Sequence, residues 1–193
     1  MEKKMYRYED VRLREFTFDD IPKKIEWINN SANNKYLNYD IPLEYDKTCR
    51  WFETLKDRKD RYDFVVEYKD EPVGLFGLLN IDYKNKTAFD YSLIGETTYK
   101  GLGIGTKAGI LNFIFAYNVL ELNKISGKIE VGNEPSLKRW LKSGGHVEGY
   151  LRDDRWRNGE PIDAYMVAHY RKDFILPQDV IVDEKFTFID KNK

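Results

Sequence analysis

Three β-like runs stand almost end to end in the middle of this chain: YDFVVEY from Tyr62, EPVGLFGLLNI from Glu71 and TAFDYSLI from Thr87. Only Lys-Asp-Glu-Pro and Tyr-Lys-Asn-Lys breaks separate them, so three hairpin-linked neighbouring strands are the economical reading. A glycine stretch, YKGLGIGTKAG from Tyr99 to Gly109, follows at once. It runs into TKAGILNFIFAYNVL, which carries too many apolar residues for a surface loop and reads as a helix largely buried against the sheet.

The flanks extend this pattern. DVRLREFTF, from Asp10 to Phe18, suits an opening strand, and Asp19, Asp20 and Pro22 then introduce a helix with Ile21, Ile25 and Ile28 at helical spacing. The polar loop NNSANNKYLNYD leads to a second helix whose apolar stripe is Cys49, Phe52 and Leu55. Beyond the buried helix, LNKISGKIEV reads as a strand, NEPSLKRWLKSG as a short helix, and VEGYLRDDRWRNGEPIDAYMVAHY as a hairpin turning at Asn158-Gly159. The expected order is β-α-α-β-β-β-α-β-α-β-β, an α/β (α+β) fold around a mixed, mostly antiparallel sheet flanked by helices. Residues 1–174 form the expected single domain, and 175–193 a C-terminal extension of moderate β character that lies on the domain or is partly mobile.

Composition narrows the classes of function. With 32 Lys+Arg against 33 Asp+Glu, no charge excess argues for nucleic acid or an anionic membrane surface. The N-terminus lacks the apolar run of a signal peptide and no stretch approaches the roughly 18 apolar residues of a membrane span, which points to a cytoplasmic protein. One cysteine, Cys49, excludes an intrachain disulfide, and the distant His146 and His169 make a poor metal set, so no metal is expected. Homodimerisation through sheet edges or the tail is compatible with the pattern, and nothing in the sequence decides it.

The glycine stretch sits at a strand-to-helix junction. A helix N-terminus exposes unpaired N–H groups and the positive end of its dipole, and glycines let an anion reach that backbone. Gly101, Gly103 and Gly105 suit such a role, with Thr106 offering a hydroxyl and Lys100 or Lys107 adding charge. The spacing lacks the last glycine of the dinucleotide fingerprint and the Gly-Lys-Ser/Thr of a P-loop. Taken alone, the stretch fits either a phosphate cradle or a glycine turn without a ligand.

Three segments together resemble the GNAT N-acetyltransferases. YKGLGIGTKA is similar to their acyl-CoA pyrophosphate loop, Gln/Arg-x-x-Gly-x-Gly/Ala, with Lys100 at the first position. VGNEPSLKRWLKSGG resembles their Asn-x-x-Ser/Ala helix, and the final hairpin resembles that of the subgroup acting on ribosomal proteins, polyamines and amino sugars. The resemblance runs from about Val11 to Phe174. It implies acetyl-CoA as donor, held by Leu93, Ile94, Lys100, Gly101, Leu102, Gly103, Ile104, Gly105, Thr106, Asn133 and Ser136. It also shows departures: Trp140 stands where a tyrosine acid is usual, and Gly144-Gly145 replaces Gly-Phe.

The same resemblance implies roles in catalysis. A primary amine is protonated near neutrality and needs a base; Asp90 is the first candidate and Glu130 the second, each of which also reads as an ordinary strand carboxylate. A backbone N–H near Leu93 or Ile94 would meet the thioester oxygen. Asn133 and Ser136 would lie by the CoA arm and hydrogen-bond the leaving sulfur or the pantetheine amide, which makes Ser136 a further catalytic candidate, although Asn133 equally suits an N-cap.

For the acceptor, CRWFETLKDRKDRYDFVVEYKDEPVG looks like the stretch found in enzymes acting on a nucleotide-linked amino sugar, the preferred expectation. Arg152, Arg155 and Arg157 would meet its diphosphate, and Trp51 or Trp156 would stack on its base; the alternative for the arginines is self-pairing within a charged hairpin. A polyamine or protein N-terminal amine is the second expectation, drawn by Asp40, Glu44 and Asp46. A catalytically silent CoA-binding or interaction domain is the alternative of another class.

Overall fold

The computed structural model describes residues 2–189. Chain order gives β1 (Glu2–Tyr8), β2 (Val11–Glu15), α1 (Ile21–Asn29), α2 (Ser31–Asn34), α3 (Tyr45–Thr54), β3 (Tyr62–Tyr68), β4 (Glu71–Asp82) and β5 (Thr87–Ile94). Then come α4 (Ile104–Ile114), β6 (Lys124–Glu130), α5 (Glu134–Lys142), β7 (His146–Arg157), β8 (Glu160–Tyr170) and β9 (Val180–Ile189). The strands form one nine-stranded sheet in the order β7-β8-β6-β5-β4-β3-β2-β1-β9. Every neighbouring pair is antiparallel except β5 with β6. The expected mixed, mostly antiparallel sheet with flanking helices is present.

The strands expected at Tyr62, Glu71 and Thr87 are β3, β4 and β5, paired in sequence order. Below them lies α4, whose Ala108, Leu111, Phe113 and Ile114 are fully or nearly fully buried, and a π-helical turn over Phe115–Val119 continues it. The sequence is apolar on most faces here because the helix is covered on most faces. One polar residue, Asn112, is buried with the rest.

One strand, β1, was not anticipated, and another, β9, was expected only as a tail of moderate β character. β1 and β9 pair antiparallel along their length and extend the sheet beyond β2, so residues assigned to a C-terminal extension take part in the main sheet. Phe188 explains why this segment docks. Its ring is fully buried and meets Tyr62 and Phe115 edge-on, at centroid distances of 5.2 and 4.7 Å. Covering one such ring contributes about 1.5–3 kcal/mol. Charged residues interrupt the apolar alternation of both strands, which hid them from a periodicity argument. Residues 190–193 of the extension lie outside the described residues.

His169, on β8, is a core residue. It stacks on Phe113 at 4.3 Å and its Nδ1 meets the Tyr117 hydroxyl at 3.0 Å. Burial holds the imidazole below its ordinary 6.5, against the opposing backbone hydrogen bond at Ser143. The unfolded chain therefore takes up this proton more readily, so the stability is complete above pH 6.5 and is lost as the pH falls from 6.5 towards the folded value. Urea midpoints measured from about pH 7.5 down to about 5.5 should fall less steeply in His169→Asn than in the parent.

Candidate active site

The site begins where the sheet opens. β5 and β6 are in register only from Thr87 to Phe89 against Lys124 to Ser126, although β5 runs on to Ile94 and β6 to Glu130. Past Phe89 the two strands part, leaving backbone groups of β5 without strand partners on that side. The parting opens into a cleft of about 1110 Å³. One wall comes from α1, the α2 region, α3 and the strands β4 and β5; the other comes from the glycine loop, the start of α4, β6 and α5. Across the mouth, the Tyr36 hydroxyl donates to the Gly132 carbonyl at 2.9 Å.

The glycine stretch is a bare cradle at a helix N-terminus. Gly101 and Gly103 have φ of +83° and +78°, a conformation that L side chains rarely adopt, and a Cβ at either would meet nothing within 4 Å. Both line the cleft, with Lys100, Ile104, Gly105 and Thr106. Gly103 is the N-cap of α4, so the first amides of that helix, at Ile104 and Gly105, have no carbonyl one turn back to bond. Gly105 has no positive φ, and its added Cβ would make ordinary contacts with Ile94 and Arg139. Leu102 is 57% exposed and points away from the cleft lining. Lys100 Nζ donates to Asn33 Oδ1 at 2.6 Å, tying the loop to α2, and Lys107 pairs with Glu9 instead of joining the cradle.

The parted strands hold an ion pair. Asp90, its side chain 1% exposed, takes Arg139 Nη2 at 2.8 Å and Asn112 Nδ2 at 2.7 Å, one on each carboxylate oxygen. Arg139 comes from α5, and its guanidinium lies over the rings of Phe76 and Trp140. Both oxygens of Asp90 are thus engaged, fixing Arg139 and Asn112. Neither partner was singled out from sequence. Glu130 accepts from Arg155 and from both terminal nitrogens of Arg157. Burial alone would raise this carboxyl, but the hydrogen bonds from Arg157 and Arg155 outweigh it and hold the group below its usual range. Arg155 and Arg157 therefore pair with Glu130 of β6, outside the hairpin, and among the described residues the expected pairing with Asp153 and Asp154 is not formed; Asp154 meets Lys128 of β6 instead.

Among the other expected residues, Leu93, Ile94, Asn133 and Ser136 all line the cleft. Asn133 caps α5, its side chain accepting from the Ser136 amide at 3.4 Å. Trp140 is 2% exposed and packs over Gly127, where a Cβ would come within 2.7 Å of its ring. Its position is taken by core packing. Arg155 and Trp51 line the cleft, whereas Arg152 and Trp156, the latter 68% exposed, do not. Trp156 is thus placed away from any base that the cleft would hold. Asp40, Glu44 and Asp46 are also absent from the lining, and Glu44 pairs with Lys47.

Trp51 brings in two cations that the sequence reading passed over. Lys24 Nζ lies 4.3 Å from its ring centroid and Arg61 5.2 Å. Arg61 forks onto Asp63, both bonds 2.6 Å, and the Tyr91 hydroxyl donates to the same carboxylate at 2.5 Å. Lys24 is 3% exposed. The signal was available: Lys24 sits three residues after Ile21 and four before Ile28, on the buried face of α1.

Residues 10–146 match the acetyltransferase (GNAT) domain family. The chain belongs to the GNAT family. A GNAT relative in Bacillus licheniformis, an uncharacterised N-acetyltransferase named p20, is 25% identical over 86% of this chain and 96% of its own length. The spermidine N(1)-acetyltransferase of Escherichia coli K12 is 26% identical over 86% and 88%. Among solved structures, the spermidine N-acetyltransferase of Vibrio cholerae in complex with CoA and spermine superposes with a TM-score of 0.78, at 21% identity, over 86% of this chain and 98% of that one. This GNAT protein is an acyltransferase that moves an acetyl group to an amine. Among the described residues, no helix is long and apolar enough to cross a membrane.

Proposed function

We propose that this chain holds acetyl-CoA with its pyrophosphate on the Gly101–Thr106 cradle and acetylates the primary amine of a small acceptor seated against the Trp51 wall. The observation that carries the reading is the cradle itself. Two positive-φ glycines with open space at their Cβ positions precede the unpaired first amides of α4 and line the cleft. Backbone donors in that arrangement suit a pyrophosphate without a cationic side chain.

When bound, acetyl-CoA supplies a thioester carbonyl for the amine to attack and a thiolate that leaves as a C–N bond replaces the C–S bond. In this reading a β5 backbone N–H near Leu93 or Ile94, on the side where β5 and β6 part, donates to the carbonyl oxygen, where charge develops. Asp90 and Asn112 fix Arg139 between the parted strands. Because Asp90 and Glu130 already hold cationic partners, the amine passes its proton to water in the open cleft. A thiol with a pKa of about 8.5 leaves without a dedicated acid, so a tryptophan at position 140 is compatible with turnover.

Of the acceptors expected from sequence, the relatives support the polyamine over the nucleotide-linked amino sugar, because the Escherichia coli protein is named for spermidine and the Vibrio structure contains spermine. One observation favours a different acceptor class. Around Trp51 the cleft presents Lys24 and Arg61, and the only carboxylate lining it among the described residues, Asp90, is already paired.

The reading is tested by following thiol release from acetyl-CoA with spermidine, short amino acids, a nucleotide amino sugar and basic peptides, identifying the acetylated product by mass spectrometry. Release with one of these supports it. Saturable acetyl-CoA binding without release across the set would return the chain to a silent CoA-binding domain.

A further inference from the structure

The charge balance of the acceptor wall deepens the acetyl-transfer reading and rests on it. Lys24 is the residue that does not balance. It lies on the buried face of α1, and its ammonium is surrounded by the rings of Trp51, Tyr39 and Phe16 at 4.3, 5.4 and 5.8 Å. Among the described residues, no carboxylate lies within ion-pair distance of it and no hydrogen-bond acceptor within reach. Asp63, the carboxylate whose charge acts on Lys24, is taken by the Arg61 fork and the Tyr91 hydroxyl. The ammonium faces the cleft without an anionic partner, so a negative group bound there would meet it in a charge-assisted hydrogen bond. Burial first, with Arg61 adding, pushes the Lys24 ammonium down to about 8 against the pull of Asp63, so it is still mainly charged at neutral pH.

The rings bear on the acceptor in a second way. Three aromatic faces around one ammonium are the arrangement by which proteins hold cationic amines. Here the chain's own lysine occupies them. A polyamine entering this wall would meet two cations and find no unpaired carboxylate among the cleft-lining residues described.

We propose that the acceptor is an amine that also carries an anionic group, a carboxylate or a phosphate, and that this group pairs with Lys24 beside the Trp51 ring. Lys24 is then a specificity-determining residue: it selects the acceptor by its second group and leaves the reacting amine free for the thioester.

The test compares amines differing at the other end: 4-aminobutyrate and O-phosphoethanolamine against 1,4-diaminobutane, with spermidine as a longer polyamine. Binding to the CoA-loaded protein is measured by calorimetry, and turnover by thiol release. The parent should bind at least one anion-bearing amine at least about tenfold more tightly than the diamine, a difference of about 1.4 kcal/mol. Lys24→Met should abolish that preference, acting on KM more than kcat, while Lys24→Arg should retain it. Thermal melts establish that each variant is folded, and the arginine variant keeps the comparison informative where the methionine variant is not. A preference for carboxylate over phosphate, or the reverse, identifies the anion. Tighter binding of the diamine or spermidine by the parent, or an unchanged preference in folded Lys24→Met, overturns the proposal. Binding preference without turnover of any amine would leave this proposal standing and count against the acetyl-transfer reading instead.

Discussion

Gly103→Val is expected to weaken acetyl-CoA binding by about 100-fold or more, equivalent to about 2.7 kcal/mol, while the protein remains folded. Two effects act together. At φ of +78° a β-branched residue is strained by about 1–2 kcal/mol, and its methyl groups extend into the open space over the cradle. Gly103→Asn separates them, because asparagine tolerates left-handed backbone but still fills the space. If obstruction dominates, Asn should lose nearly as much affinity as Val. A valine variant that binds as tightly as the parent would remove the cradle from the account.

Asp90→Asn is expected to be the most destabilising of the site substitutions. The pair with Arg139 is almost wholly buried, with side chains 1% and 10% exposed, and removing one charge from such a pair costs about 3–5 kcal/mol. For a chain of this size each kcal/mol shifts the melting temperature by about 2–4 °C, so a loss of roughly 6–20 °C is expected. Arg139→Gln in the Asp90→Asn background should cost much less than it does alone, since both partners are then neutral. The pH dependence of turnover distinguishes positioning from proton transfer. If Asp90 only holds Arg139 and Asn112, the residual activity keeps the parent's pH profile. If Asp90 is the base, the acidic limb of that profile disappears.

The parts of this molecule that were legible in the sequence are those governed by local chemistry. Glycines before an apolar run marked the cradle because only residues without a Cβ suit bare left-handed backbone at a helix start. The three central strands were legible from their alternation and turn residues. β1 and β9 were not, because each draws its order from the other end of the chain, through Met5 and Phe188, and no window of sequence contains both. Long-range pairing also decided the fates of the charged candidates. Asp90 looked like a free strand carboxylate until α5 delivered Arg139, and Glu130 until the hairpin brought back Arg155 and Arg157. Lys24 was visible as a break in the apolar face of α1, and its meaning came only with the rings folded around it.

In the proposed reaction a CoA donor rests on the amides at the start of α4. Titrating CoA into isotopically labelled protein, with backbone amide resonances followed alongside the heat of binding, tests it most directly. Saturable binding with the largest shifts at Ile104 and Gly105 is the predicted result. An absence of binding heat, or saturation that leaves those amides unmoved while others shift, would contradict it.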